Sequence, residues 1–416
     1  MKNPELRFKN DIDDWETFEL GNIGSTYNGL NGKSKTDFGH GEAKYITYMN
    51  VYKNTISNPK IVDNIEIDNT QNKVVYGDIL FTTSSETPEE VGMSSVWVSN
   101  EDNIYLNSFC FGYRPTKELN PIFMGYLLRA NSFREQMMLL AQGISRYNIS
   151  KTKAMKITIE LPSLEIQSQI ATLLSDIDTK IETQKQKVEK LKIFKSAMLD
   201  KMFPKEGQKV PEIRFNGFSG DWEEKELGSV LTLQGGYAFS SKNMSQTGIK
   251  IVQIGNVYSN FLDWNNIVYL NENFASNCEN FFLKENDLVI AMTRPIISSL
   301  KSVKIAKIQK DDLPCLLNQR VGRFLLSNKI VNSFLKCFME TKYFYENVLE
   351  KCSSGVQPNI SSKDIESLKC YLSPTLKEQE KIGKYFEELD NKIELETNKL
   401  NKLKDVKNAM LNKLLP

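Results

Sequence analysis

The sequence repeats itself, and this repeat constrains the fold more than any single motif does. The ten residues KSAMLDKMFP, which end at Pro204, return as KNAMLNKLLP, which end at Pro416. The stretch PELRF near the start returns as PEIRF at Pro211, and Trp15 returns as Trp222. Self-similarity over this distance indicates a tandem duplication, so we expect the chain to contain the same structural unit twice.

Each repeat begins with a mixed segment. Residues 15–160 and 222–372 combine short β-rich runs, such as KYITYMNVY and VVYGDILFTT, with Gly, Asn and Ser turns. Each also has one apolar helical stretch, PIFMGYLLRANSFREQMMLLA in the first repeat and VNSFLKCFMETKYFYENVLE in the second. The pattern predicts α+β modules. We assign residues 1–162 to the first module, 205–221 to a linker and the start of the second repeat, and 222–374 to the second module.

Each repeat ends in a long helix. Residues 163–204 and 375–416 each follow a proline, and Leu, Lys, Glu and Ile dominate both. At 1.5 Å per residue, each helix is about 60 Å long. The apolar residues follow a heptad seam, which predicts that the two helices pair as a coiled coil. The seam residues are Ile177, Ile181, Val188, Leu191, Met198 and Met202 in the first helix and Leu389, Ile393, Leu400, Leu403, Met410 and Leu414 in the second.

The polar positions of the two seams also match. Gln184 corresponds to Glu396, and Lys195 corresponds to Lys407. Matched polar residues would let the helices pair in a fixed register. The alternative is that each helix is amphipathic and packs only on its own module.

Composition and motifs exclude most enzyme classes. His40 is the only histidine, and the six cysteines include no C-x-x-C pair, so we expect no metal site. The sequence has no G-x-x-x-x-G-K-[ST] phosphate loop, and we interpret the DID stretch at Asp176 as a solvated helix face. No apolar run approaches the roughly 20 residues that span a bilayer, and the stretch MKNPELRFKND lacks the apolar part of a signal peptide. We therefore expect a non-catalytic, cytosolic protein with no catalytic residue and no membrane segment.

The two repeats have diverged unevenly. The long helices remain alike, whereas SSETPEEVGMSSVW after one strand corresponds to the unrelated TRPIISSLKSVKI after its counterpart. Such a difference is expected if the helices contact the same kind of partner twice while the modules contact two different things. Faster variation of loops alone would also produce it.

The order of the motifs resembles one known family. An NIS turn, the stretch LPSLEIQSQI (LSPTLKEQEKI in the second repeat), a long helix and a second similar module resemble the DNA-specificity subunit of type I restriction-modification systems. The stretch PEIRFNGFSGDWEEKELGSV is similar to the usual start of a recognition domain in that family, and GDILFTTS resembles its central strand and loop. The resemblance covers essentially the whole chain.

The resemblance implies a fold, a target and partners. In this family the two long helices form an antiparallel coiled coil that relates two target recognition domains by a pseudo-twofold axis. Each domain reads one half of an asymmetric, bipartite site in double-stranded DNA. Two methyltransferase subunits carry S-adenosylmethionine and flip the target adenine, and restriction subunits use ATP and Mg²⁺. The chain itself would hold no cofactor, and its location would be the cytoplasm of a bacterium or an archaeon.

Candidate DNA contacts lie in loops near the matched motifs. Arginine suits guanine, Asn and Gln suit adenine, and Ser and Thr assist. The candidates are Thr83, Ser84, Ser85, Ser145, Arg146, Tyr147 and Lys151 in the first module and Arg294, Gln319, Arg320, Arg323 and Gln357 in the second. Lys153, Lys33 and Lys35 are further candidates for phosphate contacts. The NIS stretches have a structural alternative, because Ser361 with Asp364 fits a helix capping box and Ser150 would cap likewise.

The charge balance is unusual for a DNA-binding protein. The net charge is +1, and residues 1–160 carry three more acidic than basic side chains. Nonspecific affinity for DNA grows with the number of phosphates neutralised. We therefore expect the isolated chain to bind DNA weakly and the methyltransferase subunits of its complex to clamp the DNA. The alternative function is a two-module coiled-coil scaffold that binds proteins or a non-nucleic ligand.

Overall fold

The computed structural model describes residues 4–275, 278–352 and 358–415. The chain divides into two compact units. Unit 1 consists of Met1–Lys185 with Asn398–Pro416, and unit 2 consists of Gln186–Thr397. Each unit therefore contains one module together with a part of each long helix.

Unit 1 contains eleven of the strands and the first five helices. The strands are β1 (Glu16–Glu19), β2 (Gly24–Asn28), β3 (Phe38–Ile46), β4 (Val62–Ile65), β5 (Ile79–Thr82), β6 (Ser84–Ser85), β7 (Ser94–Val96), β8 (Ile104–Leu106), β9 (Cys110–Pro115), β10 (Tyr147–Asn148) and β11 (Thr158–Leu161). The helices are α1 (Tyr48–Lys53), α2 (Pro121–Leu127), α3 (Asn131–Leu139), α4 (Lys151–Ala154) and α5 (Leu164–Met202), of which α5 continues into unit 2.

Unit 2 contains the remaining elements of the described chain. The strands are β12 (Glu223–Glu226), β13 (Leu231–Gly235), β14 (Met244–Ser245), β15 (Ile249–Val252), β16 (Tyr269–Leu270), β17 (Leu288–Ala291), β18 (Ile296–Ile297), β19 (Ser302–Val303), β20 (Ile305–Lys307), β21 (Cys315–Leu317), β22 (Val321–Leu326) and β23 (Lys369–Leu372). The helices are α6 (Glu272–Ala275), α7 (Asn332–Met339), α8 (Lys342–Lys351), α9 (Ser362–Glu366) and α10 (Leu376–Leu414), of which α10 continues into unit 1.

The two modules share one sheet topology. In unit 1 a four-stranded antiparallel sheet has the order β2-β9-β5-β7, and in unit 2 the order is β13-β22-β17-β20. A second sheet contains a parallel pair in each unit, β3 with β8 and β15 with β21. The first strand of each module pairs with its last strand, β1 with β11 and β12 with β23. The predicted α+β tandem duplication is confirmed.

A glycine has kept the same place in both modules for a steric reason. A Cβ atom on Gly29 would lie 2.2 Å from the carbonyl oxygen of Asn107, and one on Gly236 would lie 2.0 Å from that of Asn318. Any side chain at this position would clash with the backbone of the neighbouring turn and push the strand end away from it. The turn that precedes β9 in the first module and β22 in the second is therefore held in the same position in both modules.

Local hydrogen bonds override sequence pattern in two places. The run KYITYMNVY is strand only up to Ile46, because the Thr47 hydroxyl accepts a bond from the Asn50 amide and caps α1. Each apolar helical stretch folds as two short helices. In unit 2 the break falls at Thr341, whose hydroxyl accepts a bond from the Phe344 amide and starts α8.

The long helices begin where the prolines predict. The carbonyl of Ser163 accepts a bond from the Gln167 amide at the start of α5, and the Thr375 hydroxyl accepts one from the Glu378 amide at the start of α10. Each helix has 39 residues, so each is about 58 Å long.

A buried glutamine fastens each helix start to its module. The side-chain oxygen of Gln167 accepts a 3.0 Å bond from the Asn120 amide, and that of Gln379 accepts a 2.9 Å bond from the Val331 amide. Their amide groups donate to the carbonyls of Pro162 and Ser373, respectively. The repeated Gln of the LP-x-L-E-x-Q pattern thus satisfies backbone groups that would otherwise be buried without partners.

The modules pack on both helices. The core of unit 1 joins module residues Trp15, Phe81 and Phe123 to Ile166, Ile170 and Leu174 of α5 and to Leu415 beyond α10. The core of unit 2 joins Trp222, Ile290 and Phe334 to Leu199 and Met202 of α5 and to Ile382, Phe386 and Leu389 of α10. Each fully buried Leu, Ile or Phe contributes about 1.5–3 kcal/mol. The alternative that each helix packs only on its own module is therefore wrong.

The helices run antiparallel within each unit. In unit 2, Lys187 pairs with Glu396 at 2.9 Å and Lys195 pairs with Asp390 at 2.5 Å, so rising numbers on α5 meet falling numbers on α10. In unit 1, Lys407 pairs with Asp178 at 2.6 Å. The predicted antiparallel coiled coil is confirmed. All the seam residues named above are buried or half-buried.

The polar seam positions have a common function. Lys407 and Lys195, which correspond across the repeats, bind the corresponding aspartates Asp178 and Asp390. Each aspartate also binds its module, through the Tyr126 hydroxyl at 2.7 Å in unit 1 and the Lys336 ammonium at 2.8 Å in unit 2. The interpretation of the DID stretch as a solvated face is therefore wrong for Asp178.

Candidate nucleic-acid interface

In the first module, two of the predicted candidate loops lie side by side. The central strand β5 ends at Thr82, and the next carbonyl, that of Thr83, accepts a 3.1 Å bond from the Ile149 amide. Directly after it, β6 pairs with β10, which joins Ser84 to Asn148 and Ser85 to Tyr147. The loop after the central strand and the NIS stretch therefore form one surface.

The second module makes the same junction with different residues. The Ile360 amide donates to the Met292 carbonyl at 3.0 Å, and Thr293 forms an antiparallel bridge with Asn359. The Thr293 hydroxyl also donates to the side-chain oxygen of Asn359 at 2.7 Å. The recurrence of the NIS stretch therefore marks a shared backbone contact at the end of the central strand.

A third segment joins each junction. The Thr83 amide donates to the Phe109 carbonyl at 2.9 Å, and the Met292 amide donates to the Arg320 carbonyl at 2.8 Å. We define the first strand-end cluster as residues 83–85, 107–109 and 145–148. We define the second strand-end cluster as residues 292–294, 318–320 and 358–359.

The NIS serines also cap helices. Ser150 accepts a bond from the Lys153 amide at the start of α4. Ser361 and Asp364 form a capping box at the start of α9, in which the Ser361 hydroxyl accepts from the Asp364 amide at 3.1 Å. The capping interpretation is confirmed. The caps fix the direction in which the NIS stretch leaves each cluster.

Most of the serine and threonine candidates in the first cluster bind protein atoms. The Thr83 hydroxyl donates to the Phe109 carbonyl at 2.8 Å, and the Ser85 hydroxyl donates to the Thr87 carbonyl at 2.5 Å. Ser84 is buried and accepts a bond from the Arg146 guanidinium at 3.2 Å. These side chains stabilise the loop that carries them.

The exposed part of the first cluster is aromatic and basic. Phe109 is 53% exposed, and the Arg146 guanidinium lies 5.6 Å from the centre of its ring. Ser145 is exposed, whereas Tyr147 is half-buried against the module core. An arginine stacked on an exposed ring presents donors and a flat apolar surface together, which suits contacts with bases.

The lysine candidates of the first module differ in their surroundings. Lys151 contacts the side-chain oxygen of Asn28 and lies 5.7 Å from the ring centre of Phe111, and burial lowers its pKa. Lys33 pairs with Asp68 at 2.7 Å. Lys153 is exposed at α4, and Lys35 is exposed in the loop before β3. Lys153 and Lys35 are therefore the better placed of these four to meet a phosphate.

The second cluster presents two exposed arginines in an uncommon backbone conformation. Arg294 has a φ of 49° and Arg320 a φ of 68°, both left-handed. For a residue with a Cβ atom this conformation costs about 1–2 kcal/mol. Backbone bonds offset the cost, since the Arg294 amide donates to the Pro358 carbonyl at 2.7 Å and the Arg320 carbonyl accepts the Met292 bond described above.

Polar and aromatic groups surround these arginines. Gln319 is exposed, and its amide donates to the carbonyl of Tyr237, whose side chain is 41% exposed. A surface pocket of about 260 Å³ is lined by Ile254, Gly255, Thr293, Arg294 and Lys304. With its two cations, this pocket favours an anionic or strongly hydrogen-bonding ligand.

Arg323, a predicted residue of the second module, lies apart from the cluster on β22. The Arg323 guanidinium binds Asp287 at 3.2 Å, Gln234 at 2.5 Å and the carbonyl of Phe282 at 2.8 Å. These bonds use the N–H donors of Arg323 to attach β22 to neighbouring protein segments. Gln357 lies outside the described residues.

The exposed aromatic residues were not among the candidates predicted from hydrogen-bonding side chains. Phe109 lies in the turn before β9 and Tyr237 lies just after the end of β13, and neither is among the side chains that usually read base edges by hydrogen bonds. An exposed aromatic residue beside a cationic loop is the sequence signal that would have found them. Lys304 was missed because its place beside Arg294 depends on the hairpin β18–β19, which ends at Val303 immediately before it.

No group of metal-ligating side chains accompanies these clusters in the described ranges. Within residues 4–275, 278–352 and 358–415, no three His, Cys, Asp or Glu side chains lie together as metal ligands would. The helices in that part of the chain are each too short or too polar to cross a membrane.

The duplicated modules match one protein family. The family described as type I restriction modification DNA specificity domain matches the chain twice, over residues 12–192 and 219–405. The chain belongs to this specificity family. The two matched ranges each contain one strand-end cluster and most of one long helix, as the resemblance at sequence level implies.

Relatives of this family cover much of the chain. The MjaVIII specificity subunit of Methanocaldococcus jannaschii is 28% identical over 355 residues, which are 84% of this chain and 81% of the relative. The EcoAI specificity subunit of Escherichia coli is 37% identical over 169 residues, or 40% of this chain and 28% of that protein.

Two solved structures share the fold. The S subunit of a type I restriction-modification system from M. genitalium has a TM-score of 0.60 at 18% identity and covers 100% of this chain and 99% of its own. A chain from a study of complex assembly and conformational transition in the type I R-M system has a TM-score of 0.59 at 15% identity, with 96% and 97% coverage. At these identities the likeness is one of fold.

Proposed function

We propose that this chain selects the DNA target of a type I restriction-modification complex. One observation carries the proposal: each module joins the same three backbone segments at one sheet end, but displays different side chains there. The first strand-end cluster offers Phe109, Ser145 and Arg146, and the second offers Arg294, Gln319 and Arg320. Unlike side chains on a common framework favour unlike half-sites, and hence an asymmetric, bipartite sequence in double-stranded DNA with an unread spacer.

The spacer helices support docking of one partner in two copies. Several exposed positions of α5 and α10 remain identical, although packing does not require it. They are Lys180 with Lys392, Glu182 with Glu394, Lys190 with Lys402, and Lys192 with Lys404. Two like surfaces would bind two copies of one protein, and the proposed partner is a methyltransferase subunit.

The chemistry of the complex would belong to the partners. The methyltransferase subunits would carry S-adenosylmethionine and rotate the target adenine out of the duplex. Restriction subunits would bind through them and use ATP and Mg²⁺ for DNA translocation and cleavage. Because the proposed substrate is cellular and incoming DNA, the proposed location is the cytoplasm of a bacterium or an archaeon.

Selection from random DNA tests the proposal. The chain, assembled with its methyltransferase subunits, is incubated with random duplexes, and the bound pool is sequenced. We expect enrichment of two unlike short words at a constant separation. No enrichment with the partners present would favour the scaffold alternative.

Exchange of one module tests the assignment of half-sites. Replacing residues 15–160 by the corresponding segment of a relative should change one word of the motif and leave the second word intact. Genomic methylation mapping reads both words at once. If the exchange altered both words, or neither, the assignment of one half-site to each module would be wrong.

A further inference from the structure

Resting on the proposed function, we infer that Arg294 and Arg320 read guanine bases, so that the second half-site contains at least one G·C pair. The inference starts from how this chain uses its arginines. Seven of the nine have a polar partner. These are Arg7, Arg114, Arg129, Arg134, Arg146, Arg214 and Arg323.

Arg294 and Arg320 are the exceptions. Both are exposed, and among the described residues neither guanidinium has a hydrogen-bond or ion-pair partner. Both belong to the second strand-end cluster. A guanidinium that the protein does not use is available for a ligand, and two such groups at one sheet end are available together.

The backbone under these two side chains is fixed. The Met292 amide binds the Arg320 carbonyl at 2.8 Å, and the Arg294 amide binds the Pro358 carbonyl at 2.7 Å. The Met292 carbonyl also accepts a hydrogen bond from the Ile360 amide, so the strand, the turn and the NIS stretch are joined at one residue. The two Cα positions are therefore held by main-chain bonds while the side chains are free to adjust. A base-contacting side chain in this arrangement starts from a fixed Cα position and can still change its own conformation.

The chemistry of the guanidinium selects the base. In the major groove guanine presents two adjacent acceptors, O6 and N7, which match the paired donors of arginine. Adenine presents one acceptor and one donor, and a cytosine edge presents a donor, so neither accepts both bonds. The pocket beside Arg294 also contains Lys304 and no acidic residue, so an electron-rich base edge is favoured there.

The test replaces each arginine by glutamine. Arg294→Gln and Arg320→Gln are each made in the full chain, assembled with its methyltransferase subunits, and the bound words are determined by selection from random duplexes. We expect the guanine preference at one base pair of the second word to fall about ten- to a hundredfold for each variant. The first word and the separation should not change, and they report that the variant is folded. Lys310→Gln, which removes a positive charge before β21 in the same module, is the matched control and should leave both words unchanged.

Three results would overturn the inference. The second word of the wild-type motif could lack guanine, or both variants could retain its full preference. A uniform loss of affinity over all sequences, with a shallower salt dependence, would instead identify the arginines as phosphate contacts. All three leave a bipartite motif in the wild-type protein, whereas failure of the proposed function would leave no motif to compare.

Discussion

His40, the chain's one histidine, has partners at both ring nitrogens. Its Nε2 lies 2.8 Å from the Thr36 carbonyl oxygen, and its Nδ1 lies 3.2 Å from a Glu66 carboxylate oxygen. The bond to Thr36 and then that to Glu66 raise the pKa of His40 above its ordinary value of 6.5. Protonated His40 therefore stabilises the fold fully below pH 6.5, and this contribution is lost as the pH rises through the folded pKa.

An NMR titration of this single imidazole tests the assignment. We expect a pKa above 6.5 in the wild-type protein and a lower pKa in Glu66→Gln, because the carboxylate charge is removed. The Thr36 carbonyl remains, so part of the increase should persist. Superimposable titration curves for the two proteins would show that Glu66 does not interact with the ring.

Arg294 and Arg323 were both predicted to contact DNA because of their residue type alone. Their surroundings differ, since Arg294 is exposed and Arg323 is bound to protein atoms. Arg323 reaches Asp287, which immediately precedes β17, only because β17 and β22 pair in the observed register. Sequence could identify the loops, since they recur beside a repeated NIS stretch. It could not identify which arginine in them is neutralised, because that depends on strand register over distant parts of the chain.

At the scale of elements, a charged cluster joins α5, α7 and α10 in unit 2. Asp390 binds Lys195 at 2.5 Å and Lys336 at 2.8 Å, and Lys336 also binds Glu340 at 2.8 Å. Burial raises the pKa of Asp390, but the charges of Lys336 and Lys195 outweigh it, so the pKa is lowered. Its contribution to stability is present above the ordinary value of 3.8 and is lost as the pH falls through the lower folded value.

Asp390→Asn should lower the free energy of unfolding by about 2–4 kcal/mol at neutral pH. The nearly buried Lys195 and Lys336, which both also contact Glu340, would then share that one carboxylate. Urea unfolding measures the change. Glu388→Gln, which removes an exposed carboxylate on the same helix, should cost less than about 1 kcal/mol. The difference between Asp390→Asn and wild type should shrink below about pH 4. An unchanged difference there would mean that the charge of Asp390 is not the cause.

Gly383 lies where α10 meets α7. A Cβ atom would lie 2.6 Å from the Cβ of Ser333 and 3.0 Å from the Phe334 amide nitrogen. Gly383→Ala should therefore destabilise the protein by about 1–3 kcal/mol through overpacking, although alanine alone would favour the helix by about 1 kcal/mol. Thermal unfolding should give a lower midpoint for this variant than for Lys384→Ala, whose side chain is exposed. A higher midpoint for Gly383→Ala would mean that the helices can move apart without cost.

The long helices were the most predictable elements, because each follows a proline and keeps its heptad pattern over 39 residues. Their seam could be identified from periodicity alone. The short elements were less predictable. Helix α1 depends on one capping hydroxyl from Thr47, and the role of Asp178 depends on Tyr126, which comes from a different helix. Such contacts are set by tertiary packing and leave no periodic signal.

For the whole molecule, charge predicts how DNA affinity responds to salt. The net charge of +1 and the acidic excess of the first module leave little excess positive charge to displace counterions. We expect the chain alone to bind its target weakly and with a shallow dependence on salt, and the complex with methyltransferase subunits to bind tightly and with a steep dependence. Fluorescence anisotropy between about 50 and 200 mM salt measures both slopes. Equal affinities and equal slopes for the chain and the complex would mean that the chain makes the phosphate contacts without the methyltransferase subunits.

The chain enters and leaves each module through two neighbouring strands. β1 pairs with β11 from Glu16 opposite Leu161 to Glu19 opposite Thr158, and β12 pairs with β23 in the same way. A foreign module would have to match this strand pair, the glutamine beyond it and the apolar helix faces on which the module core packs. If the proposed function is correct, recombination between two such genes, with crossovers in the repeated segments, would replace one half of the recognised sequence in a single event.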